Sequence, residues 1–489
     1  MKNKIKKFNL LLLPAISMLV VSGCSKLLDK QPVTQVVTNT TSSAVISASQ
    51  AEDLLQGEYT AEIGYSYGLE FNVLDRITNG DAWADNCYAG GDNADNIAID
   101  LFTTNSLNGN ITRDWKDAYG IIGNINIALP QIQACSDPVL SVTRKAQILG
   151  ESRFMRAFTY FDMVRLFGRL PIILQPADLS NSESLIQSTF VPQSSVDSVY
   201  DAILQDLWFA KDNVQDDNIP SDKMVVTKGA VNSILAKVYA SMPIPNWDSV
   251  AYYCDKVIPN YLLVPDFNFL WDNNHKNNSE AIWEFNYVGW SVIGNWIPSQ
   301  FIGDGWKKFS TPTNDLVNTF RVEGDSVRLH ASVSFVNYGW SDPYWKDPNN
   351  FPILAKYNDP NNGTNDFYAI RLADILLLRA EAYNNANDIS DAATLVNKVR
   401  SRVGLPNTTA ASQADMAMAI ATERRLELAF EGQRRFDLLR TGKAIEVMNA
   451  QKDGAGNNLN YNVQPDELIY PVPQQQLDLN PKLVQNSGY

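Results

Sequence analysis

The densest concentration of groups able to do acid–base chemistry is Glu423–Gly442, "ERRLELAFEGQRRFDLLRTG". Glu423, Glu427 and Glu431 recur every fourth residue, among Arg424, Arg425, Arg434, Arg435 and Arg440. A general acid needs a cleft and few compensating cations, so that its pKa can rise toward neutrality. Here every carboxylate has an arginine within reach, which lowers its pKa. Leu426, Phe430, Phe436 and Leu439 supply apolar surface for the arginine stems. The stretch therefore reads as a structural ion-pair network, with Gly432 as the break between two helices. "GESRFMRAFTYFDMVRLFG" at 150–168 has the same texture, and Arg371, Asp374, Arg379 and Glu381 form a third belt.

Other chemistry is sparse. Asp81 and Asp85 flank Trp83 in "GDAWADNCY" and are the cheapest pair for glycoside hydrolysis, which needs carboxylates about 5–10 Å apart across a cleft. Asp92, Asp95 and Asp100 in "GGDNADNIAID" gather oxygens for a calcium ion, although the spacing matches no EF-hand loop. The two histidines, His275 and His330, form no HExxH; there is no GxSxG, and no glycine-rich phosphate loop follows a strand. No catalytic residue and no nucleotide or redox cofactor is expected.

The aromatic residues are more informative. Seven of the eleven tryptophans fall between Trp271 and Trp345. Trp283 in "AIWEF" has core-like neighbours, whereas Trp290, Trp296 and Trp306 sit among Gly, Asn, Ser and Pro in "YVGWSVIGNWIPSQFIGDGW". Trp340 and Trp345 lie in "NYGWSDPYW". Aromatic rings on loops above a rigid scaffold are a recognition signature. Flat rings beside Asn, Asp and Arg suit sugars, the ring meeting C–H faces and the polar groups meeting hydroxyls. The competing reading is a satellite cluster that anchors the loops.

These groups need elements to hold them. The chain opens "MKNKIKKFNLLLLPAISMLVVSGC", a basic region, a short apolar run and small residues before Cys24. That is a lipoprotein signal sequence, with residues 1–23 removed and Cys24 acylated. Loss of four lysines takes the formal charge from −14 to −18, which argues against a nucleic-acid partner. Residues 24–50 read as a lipid-anchored tether, and 51–489 as a single domain. Within it, helical scaffold is expected at 51–70, 111–262 and 366–450, with a first helix at Asp53–Tyr67. A loop-rich ligand-binding region is expected at 71–110 and 263–365, with little helical period, and a tail at 451–489. Trp115, Tyr119, Ile122, Asn126 and Leu129 give one buried stripe, Gly168 with Pro171 beyond it stops a helix, and Ala281–Tyr287 reads as a strand. Helix pairs of roughly 35–40 residues resemble tetratricopeptide hairpins, which must stack to bury their apolar faces. After processing, Cys87, Cys135 and Cys254 remain, enough for one disulfide at most.

Five segments, in order, resemble the SusD/RagB family of outer-membrane nutrient-binding lipoproteins. They are "GESRFMRAFTYFDMVRLFGRLPII", "YAIRLADILLLRAEAYN", "VNKVRSRVGL", "ERRLELAFEGQRRFDLLR" and "IYPVPQQQLDLNPKLVQNSGY". The resemblance implies a mostly α fold: a TPR-like α-α superhelix of four helix pairs with a large loop-rich, partly β insertion. It implies a non-enzymatic protein, lipid-anchored through Cys24 at the outer membrane and facing the cell surface. Such a protein covers a SusC-like TonB-dependent transporter barrel and delivers oligosaccharide, or in some members peptide, to it. By similarity the ring-binding positions are Trp83, Asn86, Trp290, Trp296 and Trp306, with Tyr67, Asp75 and Arg76 second. "SKLLDK" after Cys24 carries only Asp29 where some relatives have an acidic cluster for surface export.

Overall fold

Small polar residues start the scaffold helices by accepting backbone N–H groups that have no partner inside the helix. Ser47 closes a capping box on Ala48–Ile63, Asn108 caps Gly109–Ala134, Ser141 caps Val142–Phe167 and Ser195 caps Val196–Asn213. The computed structural model describes residues 45–489 except 218–220 and 302–306. The expectations for the signal sequence, Cys24 and the tether up to residue 44 lie outside the described residues, as does Trp306. Residues 46–489 form one compact unit.

The helices stack in pairs. Gly109–Ala134 packs on Val142–Phe167, and the latter packs on Val196–Asn213, which pairs with Lys228–Ser241. Next comes Trp247–Val257 against Leu372–Asn385, then Ile389–Arg402 with Gln413–Glu427. The irregular insertion, residues 258–371, leaves after Trp247–Val257 and returns into Leu372–Asn385, two helices that pack on each other. It re-enters through an antiparallel strand pair, Ala281–Phe285 with Phe367–Arg371, every residue of which is buried. Trp283 there meets Phe154, Phe158 and Phe285 edge-on at 4.9 Å, so the insertion shares the scaffold core. Gly168 ends its helix at φ +73. Cys87, Cys135 and Cys254 are all free and buried.

Three expectations need correction. The first helix begins at Ala48, inside the expected tether, because Ser47 with Gln50 supplies the start signal. The described part of the insertion includes the helices Asn314–Glu323 and Ser326–Ser332, whose few apolar positions lie amid charged residues. Residues 71–90, expected as an open loop, wind through successive wide and ordinary helical turns and are almost wholly buried. Their polar side chains are satisfied from a distance. Arg76 pairs with Asp162, Asn79 donates to Asp114 and accepts from Tyr470, and Asp81 accepts from the backbone of Phe430 and Gly432. Gly432, at φ +71, has no room for a side chain beside Arg76.

Behind this segment lies a group of buried acids. Burial, followed by the nearby Asp162, pushes Glu62 up to about 8. Glu58 is raised in the same sense by burial. A carboxyl that holds its proton in the folded state and loses it on unfolding contributes stability below pH 4.5 that is lost as pH rises toward 8. Glu62→Gln is therefore expected to flatten the decline in stability between pH 5 and pH 8, because the amide keeps the Asn72 contact without titrating. Denaturant midpoints for both proteins across that range test this; identical slopes contradict it.

Candidate functional site

The Glu423–Gly442 stretch is the buried hub of the molecule. Arg328 reaches Glu423 at 2.7 Å and Glu427 at 2.9 Å. Arg371 reaches Glu280, Glu427 and Glu431 at 2.6–2.8 Å, and Arg402 also holds Glu427. Burial opposes the charge on Glu427, but the guanidiniums of Arg402, Arg371 and Arg328 keep its pKa far below the usual carboxylate range. Arg424 bridges Asp374 and Asp437, while Arg425 and Arg434 clamp Asp85. The partners come from distant segments more than from neighbours on the same helix.

The Asp81–Asp85 pair belongs to this interior. Burial raises Asp81 to about 6; Asp85 resists its own burial and is held at about 2 by Arg425 and Arg434. Both are enclosed and saturated with protein partners, so neither faces a substrate cleft. Four ring-binding candidates are corrected for the same reason. Trp83 is buried under Phe102 and the Arg435 guanidinium. Asn86 donates to Asp81 and accepts from Arg425. Asp75 holds Arg113 at 2.6 Å, and Arg76 holds Asp162. Tyr67 is half-buried with its ring against Gly120. The calcium candidates do not converge: Asp92 is exposed, while Asp100 is buried and holds Ala89 N and Tyr461 Oη. Among the described residues no three carboxylate, histidine or cysteine side chains gather as for a metal ion.

Trp290 and Trp296 are different. Each is 36% exposed, and their ring centroids lie 4.8 Å apart with planes at 56°. The pair is an angled corner. Trp290 is fixed by its indole N–H to Asn361 O at 2.9 Å and its backbone N–H to Asn362 O at 3.1 Å. Two glycines make the bed for its ring: a Cβ on Gly363 would lie 2.7 Å from the indole, and one on Gly294 would collide with it. Tyr65, 54% exposed, accepts from Gly294 N at 3.1 Å and joins the edge of this face. It was missed from sequence; its only signal was an aromatic ring in the glycine-bounded "GYSYG".

Beside Val288, two residues before Trp290, opens a hollow of about 400 Å³ whose polar lining includes Ser221, Asp222, Asn277 and Asn286. Its base is built from charge. Lys276 donates to Tyr287 O at 2.8 Å and to Asp366 Oδ1 at 2.7 Å. Asp366 also accepts from Tyr287 N at 2.7 Å, so the loop is pinned at its root. Burial and the facing Asp366 raise Glu284 well above its usual value, favouring a neutral carboxyl there. A larger cavity of about 460 Å³ lies elsewhere, against Tyr119, Ile127 and Leu479. It is apolar-walled and contains neither exposed tryptophan of the insertion. Trp340 stacks on Tyr338 with Lys308 over its ring at 4.1 Å, and Trp345 donates to Pro312 O; both anchor loops.

The chain has relatives throughout its length. Residues 344–489 match the family described as "SusD family", and residues 26–240 match "Starch-binding associating with outer membrane". SusD-like protein P25 of Formosa agariphila is 27% identical over 432 residues, 78% of this chain and 80% of the relative. SusD-like protein P38 of the same organism is 26% identical, with 99% of this chain and 100% of the relative covered. Among solved structures, a SusD superfamily protein from Bacteroides vulgatus aligns with TM-score 0.76 at 22% identity, covering 90% and 99% of the two chains. A laminarin-binding SusD-like protein aligns with TM-score 0.74 at 25% identity, covering 91% and 100%. With its paired-helix scaffold, its insertion and these matches at both ends, the chain belongs to the SusD family.

Proposed function

We propose that this outer-membrane, surface-associated protein binds oligosaccharide or polysaccharide fragments without altering them. It passes them to a SusC-like TonB-dependent transporter. The observation that carries the reading is the pair Trp290 and Trp296, exposed on a loop that the rest of the molecule holds rigid. Indole faces offer apolar area and a polar edge at small entropic cost, which suits the C–H face of a sugar ring. Two faces at an angle accept successive rings of a chain that turns. The polar hollow beside Val288 offers amide, hydroxyl and carboxylate groups for hydroxyls. A protein that must release its cargo into a channel is served by modest affinity, which a shallow, half-exposed platform provides. The laminarin-binding neighbour supports a glycan as the ligand class. Membership of the family supports the transporter partner, and "VSGC" supports acylation of Cys24. Among the described residues no helix is long and apolar enough to cross a membrane; in this reading a lipid on Cys24 supplies the attachment.

Affinity-gel electrophoresis against a panel of neutral polysaccharides, with laminarin first, tests the reading. Retardation in at least one gel is expected. Unretarded migration in every gel, together with retention on immobilised peptides, would overturn it in favour of peptide capture.

A further inference from the structure

A second hollow, of about 340 Å³, lies at the other end of the segment that seats Trp290. Its floor is Trp271, 6% exposed, with Ile353 and Leu354 beside it. Trp271 is locked by Lys356 over its ring at 4.3 Å and by Tyr357 and Tyr368 edge-on, and its indole N–H has no partner among the described residues. Asn268, His330, Ser334 and Asn358 form an exposed rim. Asn268 spends its amide N–H on Asp266 and leaves its carbonyl free. The side chains of His330, Ser334 and Asn358 have no hydrogen-bond partner among the described residues. Unsatisfied polar groups are ordinary on open surface, but four around one concave, aromatic-floored site make a recognition set.

We infer that this hollow is a separate subsite for a single neutral saccharide ring. An imidazole, an amide and a hydroxyl each donate and accept, which matches the dual character of vicinal hydroxyls. The only carboxylate in the lining, Asp272, is taken by His275 and by backbone N–H groups, and no lysine or arginine lines the hollow to meet an anion. The volume lies at the lower end of ligand pockets, about 300–1,000 Å³, which favours one ring over a chain. One loop joins the two places: Asn358 lines the hollow, while Asn361 and Asn362 hold Trp290. A polymer engaged at both gains avidity with no stronger contact at either. The saccharide class rests on the glycan reading of Trp290 and Trp296; the convergence of free polar groups stands without it.

The chain has two histidines, so selective ¹⁵N-imidazole labelling yields two sets of signals, assigned with His330→Gln. The full chain is titrated with D-glucose, D-galactose, D-mannose, D-xylose and L-arabinose, with D-glucuronate as the anionic control. At least one neutral sugar should shift the His330 signals saturably, glucuronate less. Asn358→Ala should weaken that response about tenfold, whereas Trp290→Ala should leave it intact. Unmoved His330 signals with every sugar, or a response indifferent to Asn358→Ala and Ser334→Val, would overturn the subsite. If polysaccharide gels still retard such a protein, only the second site has failed. If no gel does, the glycan reading itself has failed.

Discussion

Arg371→Met should destabilise the protein by about 3–5 kcal/mol, because removing one partner of a buried ionic cluster strands the others. Arg371 donates to Glu280 at 2.8 Å, to Glu427 at 2.6 Å and to both Glu431 oxygens at 2.7 and 2.8 Å, all inside the protein. Its last N–H group reaches Glu427 O at 2.7 Å. The remaining cations, Arg402 for Glu280 and Glu427, Arg328 for Glu427 and Lys356 for Glu431, cannot replace those five contacts from where they stand. Burial, with Arg371 adding to it, lowers Lys356 to about 8 against the pull of Glu431. Arg371 ends the strand that returns from the insertion, and Glu427 and Glu431 belong to the scaffold. The cluster therefore ties the loop-rich region to the stacked helices. Guanidinium unfolding of the full chain, followed by tryptophan fluorescence, measures the effect. Adding Glu431→Gln should recover part of the loss, since it removes one stranded charge. A loss below about 1 kcal/mol would mean the network contributes no more than exposed pairs do.

The second large effect concerns binding. Trp290→Ala and Trp296→Ala should each weaken binding of any retained polysaccharide by about 2 kcal/mol, roughly thirty-fold in Kd. Both residues are 36% exposed, so thermal midpoints should fall less than on truncating a fully buried ring. Trp83→Ala provides the opposite pattern: a fully buried indole between Phe102 and Arg435 costs about 3–5 kcal/mol of stability when truncated. What remains folded should bind as before. Isothermal titration with thermal scans separates the two patterns. Undiminished affinity in both surface variants would remove these tryptophans from the site.

The chemistry that looked most catalytic was legible as scaffold, because Arg and Glu alternating with Leu and Phe can only bury their stems by neutralising one another. Which arginine meets which glutamate was not legible. Glu427 is served by Arg328, Arg371 and Arg402, whereas helical spacing alone pointed to neighbours such as Arg424. The run 71–90 misled for a related reason. Asn, Asp and Gly usually mark exposed turns, but here the polar groups are buried against partners hundreds of residues away, such as Asn79 with Tyr470.

Periodicity and caps were local properties, and these were enough to determine a helical stack and an interrupting insertion. The family followed from residues whose spacing serves that stack. Exposure of a given tryptophan was a different kind of property. Trp83 and Trp290 both sit among Gly, Asn or Asp in the sequence. Trp83 is covered because Arg435 and Phe102 fold across it, and Trp290 is left open because Gly294 and Gly363 bed one side and nothing described closes the other. Burial of a ring depends on what distant chain packs over it, and only the tertiary structure decides that.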